Sequence, residues 1–196
     1  MESFKGSIPY GLSRRLGVSI FKRCPKRRYF QRTADKIRAK LNSWRGDRIS
    51  KAGRLSLIKS MIESSFIHSF MIYKWPSSLI KELNISIRNF LWSGNMFKKK
   101  IVTVAWNKVC YPSEFGGMDI RDIAINNESL LKKFSWDILT KDSFSMKILR
   151  ARFLNDQLLP NNRGYFSSIF PGIRQLIIDL MQDARWLVCD NSRLNA

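Results

Sequence analysis

Phe30, Ala34, Ile37, Leu41 and Trp44 are separated by steps of 4, 3, 4 and 3 residues. A strand repeats every second residue and cannot place such a set on one face, whereas an α-helix can. The spacing therefore predicts a helix with one apolar side, closing at Gly46, where the chain needs an exit. On the same helix Arg32, Lys36 and Lys40 follow one another at i+4 and fall on a different face. One side is fitted for burial, the other for solvent or phosphate.

The helical period continues. Ser50 is placed to cap a second helix running to Trp75, with Leu55, Ile58, Ile62, Phe66 and Ser69 inward, Arg54 and Lys59 at the flanks, and Pro76 as its end. A third helix, Ser78 to Trp92, carries Leu79, Leu83, Ile87, Phe90 and Leu91, with Gly94 where a left-handed residue is wanted. "NMFKKKIVTVAW" reads as an extended connector, and "SEFGGMD" as a turn in which two glycines permit positive φ. Asp122 can cap a helix through "IAINNESLLKKFSWDILT", "SMKILRARFL" is a shorter one, and "NDQLLPNNRGYFSS" is loop-like. A last amphipathic piece runs from Ile173 to Leu187. The expectation is a mostly α fold of five or six helices with short extended pieces. A basic helical region at about 1–95 is followed by a smaller helical region at about 96–196.

Charge divides the chain in the same place. Residues 1–60 hold 17 basic and 3 acidic side chains, a net +14 out of +20 for the whole chain. Such a field favours a partner carrying phosphate, and it belongs to the N-terminal third. Lys22, Arg23, Lys26, Arg27 and Arg28 lead into the ladder of Arg32, Lys36 and Lys40, a run that can follow a phosphate backbone with few acids to oppose it. Phe30 and Trp44 lie on the apolar stripe, and Trp75, Trp92, Trp106 and Trp136 sit near helix ends, so all six aromatic residues are expected to pack rather than read bases.

Catalytic constellations are scarce. Metal-dependent nucleotidyl transfer or hydrolysis needs clustered carboxylates. No adjacent Asp-Asp pair occurs, and a turn residue plus a helix cap accounts for Asp119 and Asp122. His68, the only histidine, stands in "FIHSF" and reads as a packing residue; no glycine-rich phosphate loop is present. Cys24, Cys110 and Cys189 are odd in number and never paired as CxxC, which argues against disulfides and compact zinc sites and for a reducing compartment. The N-terminus lacks the apolar core of a signal peptide, and "SFIHSFMIYKW" is about half the ~20 residues a spanning helix needs. "PKRR" can act as a nuclear import signal, which sets the nucleus ahead of the cytoplasm as the expected location.

Five stretches, "GSIPYGLSRRLGVSIFKRCPKRRYF", "ADKIRAKLNSWRGDRISKAGRLSLIKSMI", "IRNFLWSG", "VAWNKVCYPSEFGGMDIRDI" and "LLKKFSWDIL", occur here in this order. Together they resemble the region after the polymerase active site in plant non-LTR (long interspersed type) retrotransposon reverse transcriptases. Leu16, Gly17 and Val18 match that family's strand leaving the palm, with Arg15 in place of its aromatic residue. The resemblance implies a helical thumb that grips the template and primer duplex, with Arg45, Gly46, Ser50, Lys51, Gly53 and Arg54 in a helix-turn-helix near nucleic acid. "RWLVCDNSRLN" is similar to the opening of the family's zinc-binding segment, with Cys189, Asp190 and Asn191 where Gly-Asp-Gly is usual.

The family's fingers and palm, with the Tyr-x-Asp-Asp motif that binds catalytic metals, would precede Met1, and its zinc ligands and ribonuclease H domain would follow Ala196. The expectation is thus a thumb and connection fragment that binds RNA or an RNA/DNA duplex without regard to sequence, without catalysis and without a cofactor. A palm domain supplied elsewhere is a further expected partner. Two other readings stay open: an interaction fragment whose apolar faces pack on the absent palm, and a basic peripheral membrane protein.

Overall fold

The computed structural model describes residues 13–15, 18–20, 26–161 and 167–183. These are mostly helical. Two three-residue strands, β1 (Ser13–Arg15) and β2 (Val18–Ile20), pair antiparallel with Arg15 opposite Val18. Eight helices follow among the described residues: α1 (Arg27–Ser43), α2 (Lys51–Ser65), α3 (Ile67–Phe70), α4 (Ser77–Ser93), α5 (Trp106–Val109), α6 (Ile123–Thr140), α7 (Phe144–Phe153) and α8 (Phe170–Asp183). Short 3-10 turns lie at Gly46–Arg48 and Ser113–Phe115. The count exceeds the expected five or six because the second expected helix is divided and α5 is a single turn.

α4 is the spine of the first core. Its buried face, Leu79, Ile80, Leu83, Ile87, Phe90 and Leu91, receives Phe30, Ala34, Ile37 and Leu41 of α1 on one side and Ile58, Met61 and Ile62 of α2 on another. The spacing that predicted α1 thus marks its contact with α4. Gly94 ends α4 at φ 78°, its N–H donating to the Phe90 carbonyl at 2.9 Å, and this left-handed position suits a residue without Cβ. Gly46 meets the backbone of Gly94 so closely that a Cβ on either would collide with the other. The α1–α2 turn is thereby seated on the end of α4. Ser50 caps α2 by accepting from the Gly53 N–H at 3.2 Å.

The second expected helix does not run to Trp75. It breaks at Phe66, resumes as α3 and stops at Phe70. The end at Phe70 is held from far along the chain: buried Asn127 of α6 donates to the carbonyls of Phe70 and Tyr73 at 3.0 and 2.9 Å and accepts from the Trp75 N–H at 3.0 Å. A side-chain amide therefore satisfies backbone groups that a continuous helix would have paired internally. The bend gathers Phe66, Phe70 and Trp75, whose ring centroids lie 4.7 to 5.8 Å apart, and Phe30 joins them at 5.1 Å from Trp75.

Residues 98–104 form no strand, as a connector should. In the turn that follows, Gly116 adopts φ 77° but Gly117 does not; a Cβ on Gly117 would strike the Tyr111 backbone, and the other positive φ belongs to Asp119 at 54°. Asp122 caps α6 through the N–H groups of Ala124 and Ile125 at 2.7 and 3.2 Å. α6 then leads into a second core with α7 and α8, in which Leu131, Ile138, Phe153, Phe170, Ile173 and Ile177 are buried and Phe153 stacks on Phe170 at 4.8 Å. Arg150 of α7 closes the α6 terminus by donating to the Ile138 and Lys141 carbonyls, each at 2.9 Å. The first core draws Met96, Val109, Ile120 and Ile123 from beyond residue 95, and Ile169 touches both cores. No described helix is long and apolar enough to cross a membrane.

Candidate nucleic-acid interface

α1 sets its cations on two sides. Burial of Phe30, Ala34, Ile37 and Leu41 against α4 turns Arg32, Lys36 and Lys40 outward, and all three are exposed. Successive i+4 positions rise by about 6 Å, so the three charges form a ladder. No carboxylate among the described residues pairs with any of them. Asp35, the acid within this stretch, is engaged by Arg38 at 3.6 Å and by Gln31 at 2.9 Å. Lys40 Nζ stands 5.9 Å from the centroid of half-buried Trp44, which itself packs on Phe90 at 5.8 Å.

The inward set is different. Arg27 donates to Glu82 and, at 3.3 Å, to Ser78, both on α4. Arg38 reaches the other Glu82 oxygen at 2.9 Å. These hydrogen bonds, from Arg38 first and then Arg27, hold the Glu82 carboxyl below the usual range. The first turn of α1 has cations and no acid, which opposes the helix dipole, and Glu82 supplies the missing negative charge from outside.

The expected binding residues divide accordingly. Lys26, Arg28, Arg32, Lys36, Lys40, Arg45 and Lys51 are exposed. Arg28 lies 5.0 Å above the Tyr29 ring and donates to its hydroxyl at 3.2 Å, and Lys51 Nζ lies 5.8 Å from the Trp92 centroid. Arg27 is held by Glu82. Arg54 is structural: its Nε donates to the Gly46 and Ile49 carbonyls at 2.7 and 3.1 Å, and an Nη to that of Leu91 at 3.1 Å, so one guanidinium fastens the α1–α2 turn to α4. Lys22, Arg23, Cys24 and Cys189 lie outside the described residues. Arg38, Arg48 and Glu82 were absent from the expected set. The one legible hint was that Glu82 is the sole acid in α4.

Other expectations are resolved at the same level. His68 is exposed on α3 and does not pack, and Trp136 is 38% exposed. Asp119 pairs with Lys59 at 3.3 Å while Asp122 is the α6 cap, so the i, i+3 pair is occupied structurally. Among the described residues no three His, Cys, Asp or Glu side chains gather as metal ligands would. Cys110 is half-buried, and burial, then the charge of Asp122, pushes its thiol up to about 11, away from nucleophilic use at neutral pH.

An Arabidopsis thaliana protein provisionally named a ribonuclease H protein is 32% identical over 125 residues, which are 63% of this chain and 20% of that protein. An uncharacterized mitochondrial protein of the same plant is 32% identical over 89 residues, 44% of this chain and 58% of its own length. The chain thus spans about a fifth of the first relative and less than two thirds of the second. No family model matches, and no solved structure does.

Proposed function

We propose that this chain is a reverse-transcriptase-related retroelement protein whose α1 face holds RNA or an RNA/DNA duplex, tolerant of sequence and without catalysing a reaction on it. The observation that carries the proposal is the outward ladder of Arg32, Lys36 and Lys40, exposed on a rigid helix with its local acid turned to Arg38. Cations left without an internal carboxylate release counterions when they meet phosphate, and that gain is indifferent to base identity. The ribonuclease H name of the first relative agrees with a retroelement origin. The structural use of Asp119 and Asp122 supports the non-catalytic half.

The test is duplex binding across a salt series with Arg32, Lys36 and Lys40 changed together to Glu. Affinity should fall by about a hundredfold or more at physiological salt, and the dependence on salt should flatten by roughly 0.9 for each phosphate that the variant no longer neutralises. An unchanged affinity removes the face, and magnesium-dependent primer extension by the pure chain overturns the non-catalytic claim.

A second reading, a fragment that packs on another domain, is favoured by Phe97, Ile101, Phe115 and Phe144, which are 74 to 95% exposed. Sedimentation at rising concentration separates the two. Self-association that salt does not weaken supports packing, and a monomer that binds duplex supports the interface.

A further inference from the structure

At the end of the bundle where α1 passes to α2 and α4 finishes, a small pocket opens. Its walls are Lys51, Ala52 and Leu55 of α2, Leu91 and Trp92 of α4, and Met118, and its volume is about 130 Å³. A cavity of about 150 Å³ accepts a benzene ring, so the open slot takes in a pyrimidine or one ring of a purine. The lining is hydrocarbon and indole, with the Lys51 ammonium held 5.8 Å from the Trp92 centroid.

Lys51 is the cation in the pocket wall, and the segments that adjoin the end of α4 carry more. The contact between Gly46 and Gly94 brings Arg45 and Arg48 to the end of α4, and Lys98, Lys99 and Lys100 leave from that same end; these five and Lys51 are all exposed. Asp47 is the only acid in residues 45–51 and 92–100, and Asp119, next to Met118 in the wall, is paired with Lys59 at 3.3 Å. An apolar slot with Lys51 in its wall and further cations on the adjoining segments matches the two parts of a nucleotide: a π face to stack and a phosphate beside it.

We propose that this pocket receives a single unpaired base, with its backbone phosphates on Arg45, Arg48, Lys51 and the Lys98–Lys100 run. The inference rests on the nucleic-acid reading of α1 and deepens it, naming the partner as a duplex with a single-stranded end rather than a blunt one. A paired base keeps its faces inside the stack and cannot enter. Walls mostly of hydrocarbon and indole present no pattern of donors and acceptors that tells base edges apart, so the pocket selects for an unpaired base and not for its identity.

The experiment compares the full chain on a blunt RNA/DNA duplex and on the same duplex with a short overhang carrying 2-aminopurine. The overhang should bind about tenfold more tightly, with the probe's fluorescence quenched on the indole. Ala52→Leu fills the pocket from an exposed position while keeping every cation, and its thermal melt shows whether the fold is intact. It should abolish the overhang preference and the quenching while leaving blunt-duplex affinity unchanged. Equal affinity of the unaltered chain for both duplexes, or a preference that survives Ala52→Leu, overturns the pocket. Failure to bind either duplex removes the α1 interface itself, a different result from binding both alike.

Discussion

The seam between α1, α2 and α4 and the outer face of α1 hold the same kinds of side chain and use them in opposite ways. In the seam, Arg54 donates to three backbone carbonyls, and Arg27 and Arg38 converge on Glu82. On the outer face, Arg32, Lys36 and Lys40 meet no carboxylate among the described residues. Residues 26–54 contain eleven cations and two acids, yet three of those cations are committed to holding helices together. Net charge therefore overstates a binding surface. A cation counts toward an outside partner only where the fold gives it no carboxylate or carbonyl of its own.

The sharpest way to break this comparison is Arg54→Ala. The change leaves the Gly46, Ile49 and Leu91 carbonyls without their donor, and hydrogen bonds from a charged group contribute about 1.5–3 kcal/mol. A loss of roughly 3 kcal/mol in urea unfolding is expected, a large part of the ~5–15 kcal/mol that holds a typical domain. Duplex affinity, measured where the variant is still folded, should stay within about threefold, since the missing group faces carbonyls. The triple charge reversal on the outer face should invert this pattern: affinity falls, while stability stays within ~0.5 kcal/mol per site, the usual range for exposed positions. Weakened binding by a fully stable Arg54→Ala would move Arg54 from the seam to the face.

The outer face was legible because it follows from one helical period. Once Phe30, Ala34, Ile37 and Leu41 are buried, Arg32, Lys36 and Lys40 have nowhere to point but outward. The caps at Ser50 and Asp122 and the left-handed Gly94 were legible for the same reason, since each acts within a few residues. The seam was not legible, because the bonds that join its helices, Arg54 to Leu91 and Arg38 and Arg27 to Glu82, span 37 to 55 residues of chain. The end of α3 at Phe70 was hidden likewise, being tied by Asn127, more than 50 residues away. Trp92 read as a packing residue, and only the placement of Lys51, Leu55 and Met118 around it makes a pocket.

Glu82→Gln converts part of one region into the other. With the carboxylate neutral, Arg27 and Arg38 lose their shared counter-charge and join the cations that a polyanion can recruit. Affinity for duplex should rise about two- to fivefold at low salt, and the gain should fade as salt screens it. Weaker binding by Glu82→Gln would mean that Glu82 positions Arg27 or Arg38 for phosphate, and the line between seam and face would have to be redrawn.

The smallest effect is on stability against pH, and its sign is fixed by the direction of the Glu82 shift. Hydrogen bonds from Arg38 and Arg27 favour the ionised carboxyl in the folded chain and depress its pKa below the ordinary value of 4.5. A depressed carboxyl contributes stability that is fully present above its unfolded pKa and is lost as pH falls through the folded one. The unaltered chain should therefore melt slightly above Glu82→Gln at neutral pH, and the gap should close below the ordinary glutamate range. The pair is partly exposed, with Glu82 at 39% and Arg27 at 47%, so solvent screens it and the gap is small at any pH. A gap that persists unchanged into strong acid would mean that Glu82 holds α1 to α4 by packing rather than by charge, and the seam would then differ from the outer face by geometry alone.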